Sequence, residues 1–153
     1  MLLRIFTRSI MIQELLKSQI SILSGNQKKY YEWILEKGKF FTQVNAELSK
    51  TMAKRIDAKP KECFFNGQTI ALRTELDYYE GYYITEGIPI HLEHGFNLDH
   101  NGLVVDATAH VGKIPVVEYF AVKIPLTTIM NYALEEHNYT PLLQYYYRKQ
   151  HGI

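Results

Sequence analysis

The sequence predicts an α+β fold in which a helical first half precedes an antiparallel sheet, and two helices close the chain. Three observations predict it. Apolar residues recur every three or four positions up to Leu72, the period changes to two from Leu76, and helical spacing returns after Leu126. Helices followed by a run of strands indicate the α+β class. We predict a single domain over 1–153, with a helical layer at 1–56, a core of catalytic type at 59–125 and C-terminal helices at 126–153.

Four helices are predicted in the first half, at 11–23, 27–36, 40–56 and 60–72. The first two end at breaks that contain Gly25 and Gly38. The third follows from the spacing of Phe41, Val44, Leu48 and Met52. Pro60 is expected to open the fourth, because the missing N–H of proline costs nothing at the first position of a helix.

About four strands are predicted next, at 78–85, 90–98, 103–108 and 116–124. Turn residues separate them, in Gly87-Ile88-Pro89, Asn101-Gly102 and Gly112 to Pro115. The closing helices are expected at 126–137 and after Thr140, which would cap a helix that begins at Pro141.

Composition excludes several classes of protein. A formal charge of +1 argues against a nucleic-acid partner, which normally requires a strongly basic face. No apolar run approaches the roughly 18 residues of a membrane span, and residues 1–12 lack the cleavage site of a signal peptide. A single cysteine fits a reducing compartment. We therefore expect a cytoplasmic protein with no membrane partner and no cofactor.

Cys63 is the first candidate for chemistry. A lone cysteine is most often a buried small hydrophobic residue. Here, however, it falls in the first turn of a predicted helix, where unpaired N–H groups and the helix dipole favour a thiolate. This position becomes a reactive site only if a base lies nearby.

His94 is the candidate base. It alternates with Leu92, Phe96 and Leu98 on the apolar face of a predicted strand, whereas His91 points to the opposite face. A histidine among such residues is more often a hydrogen-bonded core residue than a catalytic one. Asp106 changes this balance, because an acid inside the apolar segment 103–108 is costly to bury without a partner.

The hairpin loop decides whether His94 and Asp106 meet. A two-residue turn at Asn101-Gly102 would place Asp106 opposite Asn97, so that His94 and Asp106 project from opposite faces. A three-residue loop, His100-Asn101-Gly102 with Gly102 left-handed, places Asp106 opposite Phe96 and makes His94 its diagonal neighbour on the same face. A Cys-His-Asp triad therefore predicts the three-residue loop.

Chemical roles follow from this arrangement. Asp106 would orient the imidazole, His94 would take the proton of Cys63, and the resulting thiolate would attack a carbonyl carbon. The backbone N–H of Cys63 could stabilise the oxyanion. Candidates for further oxyanion or substrate contacts are Asn66, Gln68, Phe96 and Asn97.

Four segments together resemble the transglutaminase-like cysteine enzyme superfamily: Lys61-Glu-Cys63-Phe-Phe-Asn66, Tyr79-Glu-Gly-Tyr82, His94-Gly-Phe-Asn97 and Gly102-Leu-Val-Val-Asp106-Ala-Thr108. The resemblance spans 59–125 and implies a papain-like core, with Cys63 as nucleophile, His94 as base and Asp106 as orienting residue. Many members have tryptophan where this chain has Phe96. The resemblance implies acyl transfer (amide hydrolysis, deamidation or transamidation) on a protein, peptide or small amide. It also allows a catalytically inactive binding or inhibitory module.

Two other readings of the sequence remain open. A metal site would use residues among His91, His94, His100, Asp106 and His110, but the opposed directions of His91 and His94 do not suit a tetrahedral site, and we predict none. The twelve tyrosines include the clusters 78–79, 82–83 and 145–147. Such rings most often cover a sheet or helix, although they could also form a surface for a partner or a homo-oligomer.

Overall fold

The structure, a computed structural model, describes residues 11–136 and 140–153. What the sequence predicts for residues 1–10 and for His137 lies outside them. The described residues contain the helices α1 (Met11–Ile20), α2 (Gly25–Lys37), α3 (Ala46–Arg55), α4 (Cys63–Arg73), α5 (Ala107–Gly112), α6 (Leu126–Glu136) and α7 (Leu143–His151). The strands are β1 (Lys39–Phe41), β2 (Asp77–Thr85), β3 (Leu92–Leu98), β4 (Val104–Val105) and β5 (Val116–Ile124). The predicted α+β class is confirmed.

The five strands form one curled antiparallel sheet in the order β1-β5-β2-β3-β4. Strand β2 is central: it pairs with β3 from Asp77↔Leu98 to Tyr83↔Leu92, and with β5 from Tyr78↔Ile124 onward. Alternation along β2 sends Tyr78, Glu80 and Tyr82 to one face of the sheet, and Tyr79 and Tyr83 to the other.

Each face of the sheet has its own core. On the Tyr78 face, side chains from α1, α2, α6 and α7 form the largest apolar cluster, which includes Leu16, Ile34, Ile129 and Leu142. On the opposite face, Tyr79, Phe96, Tyr119 and Ala121 pack together, with Phe41 of β1 against them. A third cluster joins α3, α4 and α5 through Met52, Ile70 and Ala107.

The prediction of one helix over 40–56, and with it a wholly helical layer at 1–56, is wrong. Residues 39–41 form β1, whose backbone pairs with β5 from Lys39↔Ala121 to Phe41↔Tyr119. Helix α3 begins only at Ala46, where Asn45 caps it by accepting a hydrogen bond from the backbone N–H of Leu48 at 3.0 Å. The helical spacing of the apolar residues therefore concealed a short edge strand, which is fixed by tertiary pairing.

Three other predicted boundaries are wrong. Pro60 does not open α4, because Lys61 takes a left-handed conformation at φ 67 and the helix starts at Cys63. Strand β4 ends at Val105 rather than at residue 108, since Asp106 caps α5. Thr140 does not cap α7, since its hydroxyl donates to Tyr132 at 2.7 Å.

The tyrosine clusters are largely explained by packing. Tyr78, Tyr79 and Tyr82 are buried in the sheet, and Tyr146 and Tyr147 pack on the ring of Trp33, with ring centroids 5.9 and 5.1 Å away. Within 11–136 and 140–153, none of the helices combines the length and apolar character needed to cross a bilayer.

Candidate active site

Cys63 is the first residue of α4, and its side chain is half-buried. The helix lies close to the sheet because residue 67 is glycine: a Cβ there would come within 2.6 Å of the Tyr78 ring. The side chain of Asn97 donates to the carbonyl of Gly67 at 2.9 Å and ties α4 to β3. The N-terminus of α4 is therefore held beside the strand that carries His94.

The other amides predicted as oxyanion or substrate contacts also hold α4 in place. Asn66 donates to the Lys59 carbonyl at 2.9 Å and to the Thr108 hydroxyl at 2.8 Å, which joins α4 to α5. Gln68 donates to the Thr140 carbonyl at 2.8 Å. Both amides are almost completely buried, so the contacts that the structure shows for them are scaffold contacts.

Phe96, the remaining predicted contact residue, lies in the core below the site. It is buried, and its ring packs against Tyr79, Tyr119 and Phe41. Phe96 therefore packs beneath the strand that carries His94 and does not line an open surface in the part of the chain that the structure describes.

The hairpin that carries His94 and Asp106 has the predicted three-residue loop. Asn97 pairs with Val105 and Leu98 with Val104, which is the register expected for a loop of residues 100–102. Gly102 has φ 79, the left-handed conformation that glycine adopts without strain. Asp99 stabilises the loop, since its carboxylate accepts the N–H groups of Asn101 and Leu103, each at 2.9 Å.

This register brings His94 and Asp106 into direct contact. His94 Nε2 lies 2.7 Å from Asp106 Oδ2, and both residues are only 2% exposed. The same oxygen accepts a hydrogen bond from the Tyr119 hydroxyl at 2.8 Å, while Oδ1 accepts the N–H of Ala109 at 3.0 Å. The backbone N–H of Asp106 donates to Ser49 Oγ at 3.0 Å, so both the backbone and the side chain of Asp106 are held in place.

The electrostatics of the pair favour charge on both partners. Burial lowers the pKa of His94, but the charge and hydrogen bond of Asp106, together with the Cys63 thiol, outweigh it and raise the pKa to about 10. Burial would raise the pKa of Asp106, yet the charge of His94 and the hydrogen bonds from His94, Ala109 and Tyr119 hold it below its usual range. An imidazolium beside a carboxylate is the favoured state at neutral pH.

The side chain of Cys63 contributes to the raised pKa of the same imidazole, which places the thiol near His94. Since Nε2 is engaged by Asp106, Nδ1 is the nitrogen left for the thiol. The carboxylate and the imidazole are in direct contact, and the thiol lies near the ring. A cavity of about 310 Å³ is lined by residues that include Phe64, Glu80 and Glu93. Glu80 and Glu93 lie on the face of the sheet opposite to His94, and none of Cys63, His94 and Asp106 lines this cavity.

Three residues at the site were not found from the sequence. Tyr119 and Ser49 bind Asp106, and the ring of Tyr83 stacks on His94 with centroids 4.2 Å apart and an interplanar angle of 30°. The one available signal was that a buried acid needs several donors. Which side chains supply them depends on β5 pairing beside β2, and the sequence does not show that strand order.

The histidines considered as metal ligands do not converge. His94 is bound to Asp106, whereas His91 on the other face lies 3.2 Å from Gln19 Oε1 and packs edge-on against Tyr82. Among the residues that the structure describes, no group of three or more His, Cys, Asp or Glu side chains is arranged to hold a metal ion.

A carboxylate, an imidazole and a thiol in this order can generate a thiolate, stabilise an imidazolium and return a proton to a leaving group. The N-terminus of α4 adds backbone N–H groups at the thiol, which could bind an oxyanion.

Comparisons of the chain with family models, with curated proteins and with solved structures gave no significant match.

Proposed function

We propose that this protein is a thiol-dependent acyl-transfer enzyme with a transglutaminase-like, papain-like core. Cys63 is the nucleophile, His94 the general base and acid, and Asp106 the orienting residue. The observation that carries the proposal is the contact of 2.7 Å between His94 Nε2 and Asp106 Oδ2, which leaves the other ring nitrogen for Cys63. In this arrangement the imidazole donates a hydrogen bond to Asp106 through one ring nitrogen and exchanges a proton with Cys63 through the other.

The proposed reaction has two steps. The Cys63 thiolate attacks the carbonyl carbon of an amide, and the tetrahedral intermediate collapses as His94 gives its proton to the departing amine, which leaves a thioester. Water or a second amine then attacks the thioester, while His94 takes the proton of the attacking group and returns it to the Cys63 sulfur. The acyl donor is a protein, a peptide or a small amide.

Two features support this assignment of roles. Cys63 is the first residue of α4, so no carbonyl within the helix accepts its backbone N–H, and we assign this N–H to the oxyanion. The thiol is half-buried rather than enclosed, which gives a substrate access to it. We also propose the reducing cytoplasm as its location, since the nucleophile must stay a free thiol.

The proposal is tested by the rate at which iodoacetamide alkylates Cys63 at neutral pH, followed by intact mass. His94→Gln is the informative variant, because its amide can still donate to Asp106 but cannot accept a proton. We expect at least a roughly tenfold lower rate in H94Q than in the wild type. His110→Gln is the matched control, because His110 is exposed on α5. Cys63 of this variant should be alkylated at the wild-type rate.

Equal alkylation rates in the wild type and in H94Q, with both proteins folded by circular dichroism, would contradict the proposed enzyme. That result would favour the alternative function, a catalytically inactive binding or inhibitory module. Cys63→Ser identifies the labelled thiol, because the chain contains one cysteine.

A further inference from the structure

Tyr83 is the aromatic side chain that contacts the candidate base from β2. Its ring stacks on the His94 ring, with centroids 4.2 Å apart and an interplanar angle of 30°, and part of the side chain remains exposed. Its register explains the contact: Gly81 faces His94 across the β2–β3 pair, and Tyr83 lies two residues further along the same face.

Tyr83 also lies in the electrostatic field of the whole triad. Burial is the main cause of the raised pKa of Tyr83, and electrostatic interactions with Cys63 and Asp106 add to it. A phenol so placed is disfavoured from ionising, so Tyr83 presents a neutral ring to the imidazole. The titratable groups that face His94 are therefore Cys63 from α4, Asp106 before α5, Tyr119 from β5 and Tyr83 from β2.

We propose that Tyr83 is a positioning residue that holds the His94 imidazole and stabilises its protonated form through the face of its ring. The inference rests on the proposed thiol chemistry and assigns a role to a residue outside the triad. A cation within about 6 Å of an aromatic ring centroid is attracted to the negative face of the ring. The stack also limits rotation of the imidazole away from Asp106 and Cys63.

The ring, not the hydroxyl, is the active part in this role. Tyr83→Phe keeps the aromatic face and should behave as the wild type. Tyr83→Leu and Tyr83→Met keep an apolar cover over His94, so its burial changes little, but they remove the aromatic face. Two apolar variants guard against one that fails to fold, and Tyr146→Leu is the control for loss of a half-buried tyrosine that packs on Trp33, away from the triad.

The experiment measures the pH profile of Cys63 alkylation by iodoacetate, in which the thiolate displaces iodide. Because iodoacetate is anionic, the positive charge of the His94 imidazolium attracts it. The rate of alkylation therefore falls when His94 loses its proton. In Y83L and Y83M we expect the alkaline limb to move down by about 0.3–1 pH unit, which corresponds to a two- to tenfold weaker retention of the proton. Y83F and Y146L should reproduce the wild-type profile.

The outcomes separate the two proposals. If H94Q loses reactivity while Y83L and Y83M keep the wild-type alkaline limb, the role of Tyr83 is wrong and the thiol chemistry stands. If Y83F shifts the limb as far as Y83L, the hydroxyl acts and the ring inference is overturned. If H94Q keeps the wild-type rate, the proposed function itself fails, whatever the Tyr83 variants show.

Discussion

Asp106→Asn removes the negative charge beside His94 while it keeps the size of the side chain. The wild-type carboxylate accepts hydrogen bonds from His94 and Tyr119 at one oxygen and from the Ala109 N–H at the other. Asparagine offers one acceptor oxygen. If that oxygen serves His94 and Tyr119, its NH₂ group faces the Ala109 N–H and the cap of α5 is lost.

The cost can be worked out from these contacts. Breaking a buried ion pair by neutralising one partner destabilises a protein by about 3–5 kcal/mol. We count the lost cap of α5, which costs about 1 kcal/mol, within this range. For a chain of this size, 1 kcal/mol lowers the melting temperature by about 2–4 °C. We therefore expect D106N to melt about 6–20 °C below the wild type near pH 5.5.

The difference should depend on pH with a definite sign. The raised pKa of His94 contributes stability that is fully present below about 6.5 and is lost as the pH rises toward about 10. The lowered pKa of Asp106 contributes stability that is lost only as the pH falls below about 3.8. The gap between wild type and D106N is therefore largest from about pH 4 to 6.5 and shrinks above that range.

Urea unfolding at pH 5.5 and pH 9 measures this gap directly. Asp77→Asn is the matched control, since Asp77 forms an exposed ion pair with Lys123 at 3.3 Å and should change stability by no more than about 0.5 kcal/mol at either pH. A D106N difference that is equal at both pH values, or larger at pH 9, would refute the charged His94–Asp106 pair.

Three further predictions concern residues around the site. Tyr119→Phe removes the hydroxyl 2.8 Å from Asp106 and should lower both unfolding free energy, by about 1–2 kcal/mol, and the alkylation rate of Cys63. Burial raises the pKa of Glu80 from 4.5 to about 7, so the free energy of unfolding of the wild type in urea should fall as the pH rises from about 4.5 to about 7. Glu80→Gln should abolish this dependence on pH. Gly102→Ala should cost about 1–2 kcal/mol in urea unfolding because φ is 79, whereas Asn101→Ala should cost less than about 0.5 kcal/mol.

Local patterns were sufficient for the longest elements. Strand β5 coincides with the predicted 116–124, because its apolar alternation is bounded by turn residues on one side and Pro125 on the other. The relation between His94 and Asp106 was also predictable, because strand parity and loop length fix which side chains share a face. One geometric condition, the three-residue loop, was enough to bring the two side chains together.

Tertiary contacts decided what the sequence could not predict. Phe41 shares its helical spacing with Val44, Leu48 and Met52, yet residues 39–41 form a strand because β5 offers an edge to pair with. Asp106 lies after Val104-Val105, which favours a strand, yet its side chain caps α5 and ends the strand. Tyr119 and Tyr83 reach the site through the order β5-β2-β3, a relation between strands that are distant along the chain.

The central claim is that Cys63 forms a thioester with the help of His94. Its most direct test is a reaction with p-nitrophenyl acetate, followed by intact mass and by release of nitrophenolate. The account predicts one acetyl group on Cys63, formed in a burst by the wild type and by H110Q, and absent in C63S. H94Q should form it at least about tenfold more slowly. Acetylation of Cys63 at the same rate in H94Q as in the wild type would contradict the account.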